Sequence, residues 1–120
     1  MAARWLAKLT KRARQKRMRV DFKSDGLGVR SRNLSWLSEP RFTAAWDAAV
    51  AANLAGWNGK VPDIRWRVQT CIWAAQQALR TDGDFVECGV HTGILSVAIA
   101  HYLDFAKLDR QEFGGDLAES

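Results

Sequence analysis

Hydrophobic positions along the chain predict helices arranged around one short strand. Between residues 38 and 54, apolar side chains recur at three- and four-residue spacing, and Ser38 with Pro40 marks the start of this helix. A second predicted helix begins with Asp63 as its cap and ends before the turn Thr81-Asp82-Gly83. Its apolar stripe consists of Ile64, Val68, Ile72, Ala75 and Leu79.

A short apolar strand, Phe85 to Cys88, follows that turn and leads into a glycine-bearing segment. A third helical pattern comes directly afterwards, with apolar positions at Leu95, Val97, Ile99, Ala100 and Leu103. In parallel α/β sheets, a ligand binds at the carboxyl end of such a strand, above the amino terminus of the next helix. The pattern therefore predicts an α/β fold: the front portion of a Rossmann-like domain, incomplete and mostly helical as given.

The segment between strand and helix favours a cationic ligand over a dinucleotide. Dinucleotide sites use G-x-G-x-x-G, whose middle glycine lets the backbone approach a pyrophosphate, and His91 occupies that place here. The spacing is instead acid-x-Gly-x-x-x-Gly, formed by Glu87, Gly89 and Gly93. A carboxylate repels a pyrophosphate but suits a ligand with an ammonium and a sulfonium group, such as S-adenosylmethionine. A fragment of a nicotinamide-dependent dehydrogenase remains a weaker alternative.

Two stretches of the chain resemble the macrocin O-methyltransferase family: VPDIRWR from Val61 to Arg67, and DGDFVECGV from Asp82 to Val90. The resemblance covers roughly residues 34–108 and is strongest over residues 62–102. Members of that family are class I S-adenosylmethionine-dependent enzymes, many of which methylate sugar hydroxyls of bacterial natural products and glycans. The resemblance implies S-adenosylmethionine as cofactor and a sugar or other small-molecule hydroxyl as acceptor.

By position, the resemblance also implies which residues bind the cofactor. These are Glu87, Gly89, Val90, His91 and Gly93. The chain departs from the family at Ile94, where a second glycine is usual. The family's metal-binding acids, catalytic base and acceptor pocket would follow Ser120, so no catalytic or metal-binding residue is assigned, and a divalent metal would be bound by residues absent from this sequence. We expect a truncated N-terminal fragment that is inactive alone and binds the cofactor weakly or not at all.

Residues 109–120 are predicted to form a polar tail. They contain no run of four apolar residues, which a buried parallel strand would normally have. Asp116 could be the acid that binds a cofactor ribose, but the tail interpretation is favoured. A doubly wound methyltransferase needs about 200 residues or more. A chain of 120 residues therefore fits an incomplete domain.

The net charge of +5 is distributed unevenly. Residues 1–20 hold eight basic side chains and no acid, whereas the remaining 100 residues hold ten basic and thirteen acidic side chains. This asymmetry predicts a basic N-terminal arm over 1–22, and no nucleic-acid partner is expected. The polar stretch after the arm, with Gly26 and Gly28 as breakers, predicts a linker over 23–37. The favoured interpretation of the arm is a solvated segment or a crossing contact in a homo-oligomer. The alternative is weak contact of residues 1–20 with an anionic membrane surface.

A cytoplasmic location is expected. Cys71 and Cys88 lie within apolar patterns and suit a reducing compartment as small buried side chains. No stretch approaches the roughly 20 apolar residues of a transmembrane helix, and no signal peptide is evident. The usual zinc and nucleoside-triphosphate motifs are also absent from the sequence.

The truncated methyltransferase domain is expected to span 38–108, with its helices, first strand, cofactor loop and crossover helix. One alternative comes from a different functional class. The chain could be a non-catalytic remnant or interaction module that keeps the helices and the basic arm without their chemistry.

Overall fold

The computed structural model describes residues 20–30 and 32–109, together with the backbone of 112–115. The chain divides into two units, Met1–Leu34 and Ser35–Ser120. Most of the basic arm expected over 1–22 falls on residues 1–19, which lie outside the described residues. The proposals for that arm therefore stay predictions.

The first unit contains a β hairpin where the sequence predicted a linker. Strand β1, Phe22–Ser24, pairs antiparallel with β2, Leu27–Val29, and Ser24 stands opposite Leu27. The two turn residues, Asp25 and Gly26, have φ values of 46° and 80°. Positive φ at both positions is what a two-residue type I′ hairpin turn requires, and Asp-Gly is a preferred pair for it. The linker prediction over 23–37 is corrected accordingly, because glycine was interpreted only as a breaker.

Helix α1, Pro40–Asn53, begins the helical part of the second unit. Its cap is Glu39, whose Oε1 accepts from Arg41 N at 3.2 Å and whose Oε2 accepts from Phe42 N at 2.9 Å. Ser38, the predicted cap, instead ends a 3-10 helix over Ser35–Ser38 and donates its hydroxyl to Ser35 O. The longer carboxylate satisfies two free N–H groups at the helix start, which displaces the expected cap by one residue.

Helices α2, Arg65–Ala78, and α3, Ile94–Leu103, complete the helical layer. Helix α3 packs against both α1 and α2. Ala49 on α1 and Ala98 on α3 belong to one buried core cluster and have no exposed surface, and alanine lets two helix backbones approach closely. The predicted stripe on α2 is confirmed at its centre, where the side chains are buried: Val68, Ile72 and Ala75.

A two-stranded parallel sheet corrects the polar-tail prediction. Strand β3, Phe85–Cys88, pairs in parallel with β4, Glu112–Gly115, and Glu87 stands opposite Gly114. Strand β4 was missed because Gly114 and Gly115 have no side chains and therefore carry no hydrophobic pattern. Its pairing with β3 rests on backbone hydrogen bonds. The segments β3, α3 and β4 thus form a strand–helix–strand unit.

The two faces of β3 differ in exposure. Phe85 and Glu87 are half-buried, whereas Val86 is 72% exposed and Cys88 is also exposed. The expectation that both cysteines are buried is therefore corrected for Cys88, while Cys71 on α2 is half-buried. The fold over the described residues is mixed α/β, with three α-helices, one antiparallel pair and one parallel pair of strands. None of the helices in those ranges has the length and apolar character needed for a membrane span.

Candidate functional site

The segment from β3 to α3, residues 89–93, is called the glycine loop here. It leaves the carboxyl end of β3 and ends at Gly93, the N-cap of α3. Three of its five residues have positive φ: 75° at Gly89, 51° at His91 and 84° at Gly93. Gly93 N donates to Val90 O at 2.9 Å, which closes the turn. No side chain of the described residues caps α3, so the first N–H groups of this helix are available to a ligand at its end.

The two glycines are required for conformation rather than for packing. A Cβ at Gly89 would meet no atom within 4 Å, and one at Gly93 would lie 3.8 Å from Val90 Cγ1, an ordinary contact. The positive φ at both positions is the constraint, because other residues adopt it at a cost. Among the described residues, no atom fills the space beside Gly89.

The Glu87 side chain extends from β3 toward the helical layer. Ser96 Oγ, on the first turn of α3, donates to Glu87 Oε2. Within the described ranges, Oε1 of Glu87 has no hydrogen-bond partner, so one carboxylate oxygen is left for a ligand. Burial raises the pKa of the Cys71 thiol, and the charge of Glu87 raises it further. The carboxylate therefore lies close enough to α2 and α3 to act on both.

The glycine loop also has a tertiary contact that the sequence did not predict. It comes from a short 3-10 helix, Ala55–Trp57, that follows α1. Trp57 Nε1 donates to Thr92 Oγ1 at 2.9 Å, and the Trp57 and His91 ring centroids are 4.9 Å apart. A Cβ at Gly56 would lie only 2.5 Å from Thr92 Cγ2. Nothing in the local sequence pattern around Gly56 links it to a residue so far along the chain.

The basic-aromatic stretch at the start of α2 has partners of its own. Arg65 Nε and Nη2 donate to the two carboxylate oxygens of Asp63, at 2.9 and 2.8 Å. Hydrogen bonding to Asp63 raises the pKa of Arg65 above its ordinary value. Arg67 lies over the ring of Trp66, 5.5 Å from its centroid. None of these contacts joins the stretch to the glycine loop.

Two surface grooves lie at the far end of α3 from the glycine loop. One, of about 490 Å³, is lined by Ser35, Trp36, Glu39, Gln69 and Tyr102. The other, of about 580 Å³, includes Arg41, His101 and Asp104 in its lining. Neither groove contains a residue predicted to bind the cofactor. His101 is therefore placed away from the site.

Val90 and His91 complete the predicted set. Val90 is half-buried and provides the carbonyl that closes the turn, and His91 is exposed beside Trp57. His91 Nδ1 lies 3.2 Å from Thr92 Oγ1. The structure thus brings all five predicted residues to the end of β3 and adds Gly56, Trp57, Thr92 and Ser96. In the part of the chain that is described, no three metal-ligating side chains come together.

Comparison of the chain with protein-family models, with curated proteins and with solved structures finds no match.

Proposed function

We propose that the chain contains the cofactor-binding front of a Rossmann-like S-adenosylmethionine-dependent O-methyltransferase, with a sugar or other small-molecule hydroxyl as acceptor. The proposal rests on the parallel pairing of β3 with β4, two strands that are connected along the chain through α3. In such a strand–helix–strand unit, the ligand site lies at the carboxyl end of the first strand. That is where the glycine loop and Glu87 stand.

The charges at this end of β3 suit the amino-acid moiety of the cofactor. Oε1 of Glu87 could accept a hydrogen bond from an ammonium group. The uncapped amino terminus of α3 carries partial positive charge and would attract the carboxylate. A pyrophosphate would instead meet the charge of Glu87 and the side chain of His91. The donors and acceptors present therefore fit a zwitterionic ligand better than a dinucleotide.

Strand β4 also changes how Asp116 is interpreted. Asp116 itself lies outside the described residues, but it follows Gly115, the last residue of β4, directly in sequence. In dinucleotide-binding folds, an acid about 20 residues after the glycine loop hydrogen-bonds a ribose hydroxyl. Asp116 has a comparable position, 23 residues after Gly93. It becomes a candidate for binding the ribose.

When bound, S-adenosylmethionine supplies an activated methyl group on its sulfonium. The role of this chain is then positioning and electrostatics. Glu87, held by Ser96, would orient the ammonium group, and the glycine loop would admit the ligand close to the backbone. No proton-transfer step is assigned to these residues.

Ligand-observed NMR with S-adenosylhomocysteine tests the proposal on the full chain. Glu87→Gln keeps an acceptor for Ser96 but removes the charge, and we expect it to weaken binding roughly 10- to 100-fold, the range for a hydrogen bond to a charged group. Asp84→Asn is the matched control, because it removes the same charge just before the other end of β3. Because strand β4 supplies part of the fold that the sequence was expected to lack, we expect weak binding rather than none. Absence of binding by the wild-type chain at millimolar ligand, or equal binding of NADH, would contradict the proposal.

A second candidate function is an interaction module without chemistry. The 72% exposure of Val86 favours it, because parallel sheets are normally covered on both faces. Sedimentation that shows concentration-dependent association, together with no binding of S-adenosylhomocysteine, would support this function over the first. Replacement of Val86 by Lys should then abolish the association.

A further inference from the structure

The contact between the Ala55–Trp57 helix and the glycine loop joins two distant parts of the chain. Trp57 and Thr92 are 35 residues apart, yet their side chains are hydrogen-bonded at 2.9 Å. The same indole ring contacts His91, and Gly56 leaves room for the Thr92 methyl group. Two consecutive loop residues thus share three kinds of contact with this helix: a hydrogen bond, a ring contact and a close steric fit.

One of these two residues, His91, has the least favourable backbone conformation in the glycine loop. His91 has φ of 51°, a conformation that non-glycine residues adopt only where the surrounding structure supports it. The Trp57 ring beside His91 and the Thr92 hydroxyl 3.2 Å from its Nδ1 provide such support. Without the indole, part of this support would be lost, and the loop would sample other conformations.

We infer that Trp57 is a positioning residue that sets the conformation of the glycine loop through Thr92 and His91, before a ligand arrives. The identity of that ligand rests on the proposed function, whereas the effect on the loop does not. A loop ordered in advance binds more tightly because less conformational entropy is lost on binding. Trp57 thus governs affinity without touching the ligand.

Four variants separate this role from general stability. Trp57→Phe keeps an aromatic ring but removes the Nε1 donor. Gly56→Ala places a methyl group against Thr92 Cγ2, and Gly56 lies outside the positive-φ region, so alanine fits its backbone. Adding Thr92→Ser to Gly56→Ala deletes that Cγ2 but keeps the hydroxyl acceptor. Trp73→Phe is the control, because Trp73 is 59% exposed on α2.

Hydrogen exchange of the amides at 89–93 is the first measurement. We expect Trp57→Phe and Gly56→Ala to speed exchange in this loop by about tenfold, the equivalent of one lost hydrogen bond, with exchange in the α2 core unchanged. The double variant Gly56→Ala/Thr92→Ser should return most of the way to the wild-type rate, and Trp73→Phe should have no effect. Unchanged loop exchange in both Trp57→Phe and Gly56→Ala would overturn the inference.

Affinity for S-adenosylhomocysteine is the second measurement, and it should follow loop exchange across the four variants. If the wild-type chain binds none of this ligand while the exchange pattern holds, the proposed function fails and the positioning role stands. If the wild-type chain binds and all variants bind equally with wild-type exchange, the positioning role fails and the proposed function stands.

Discussion

The α1–α3 contact and the β3–β4 sheet are built in opposite ways. Between the helices, Ala49 and Ala98 are completely buried in one cluster with a Phe42 ring that is 1% exposed. In the sheet, Val86 is 72% exposed, and β4 includes two glycines with no side chains to pack. Side chains therefore pack closely between the helices, whereas one face of β3 is left open. The difference separates the residues that stabilise this domain from those that we propose bind a ligand.

The largest effect on the free energy of unfolding is expected from a substitution in the packed helical core. Phe42→Ala removes a fully buried ring and should lower the free energy of unfolding by about 3–5 kcal/mol. Val86→Ala on the open face should change it by less than about 0.5 kcal/mol. Chemical denaturation of the two variants measures both values. A similar loss for each would show that the sheet contributes to stability as much as the helices do.

Asp116→Asn should leave the free energy of unfolding nearly unchanged and lower the affinity for S-adenosylhomocysteine. If Asp116 binds a ribose hydroxyl, affinity for S-adenosylhomocysteine should fall about tenfold, as expected for one hydrogen bond to a charged group. Titration followed by NMR gives the affinity, and thermal unfolding gives the stability. Glu119→Gln removes a nearby charge as the control, and equal affinities for both variants would remove Asp116 from the site.

The smallest effect concerns the two thiols. At about pH 8, iodoacetamide should alkylate the exposed Cys88 faster than Cys71, because the raised pKa of Cys71 lowers its thiolate fraction. Glu87→Gln should accelerate Cys71 modestly, since the charge of Glu87 is the second cause of that shift. Mass spectrometry of the labelled peptides gives the two rates. Faster labelling of Cys71 than of Cys88 would contradict the environment described for it.

The same shift gives a pH dependence of stability. The folded state holds the Cys71 proton more tightly than the unfolded state, so this contribution is intact at pH values below the ordinary pKa of a cysteine thiol. It is lost as the pH rises through the higher folded-state pKa. Cys71→Ala should remove this part of the alkaline destabilisation, which unfolding at a series of pH values would show.

Periodic packing was the part of this fold that could be predicted. The stripe through Val68, Ile72 and Ala75 was recognisable because a helix repeats its buried face every three to four residues. The Asp25-Gly26 turn carried a recognisable hairpin signal that was interpreted as a break in a linker. Strand β4 offered no such signal, since its pairing partner lies far away in sequence and two of its four residues are glycines.

The candidate site was predictable to a similar degree. Glu87 and the glycines were identified from their spacing around a strand end, and the structure places them together. The Glu87 side chain is oriented toward Ser96 because of how α3 packs against β3. The sequence of β3 alone does not determine that packing. The Trp57–Thr92 hydrogen bond required knowing that the end of α1 meets the start of α3. Such contacts follow from tertiary packing rather than from local sequence.

The alanine contact between α1 and α3 has a mechanical consequence. Arg41 at the start of α1 lies 4.7 Å from the Tyr102 ring near the end of α3, and Trp57 beyond α1 meets Thr92 before α3, so the two helices run antiparallel. Ala49 and Ala98 are completely buried in one core cluster, so the two helices resist sliding past each other. Trp57 follows one of these helices, and Gly93 at the end of the glycine loop directly precedes the other. The packing of the two helices therefore fixes where the Trp57–Thr92 contact forms.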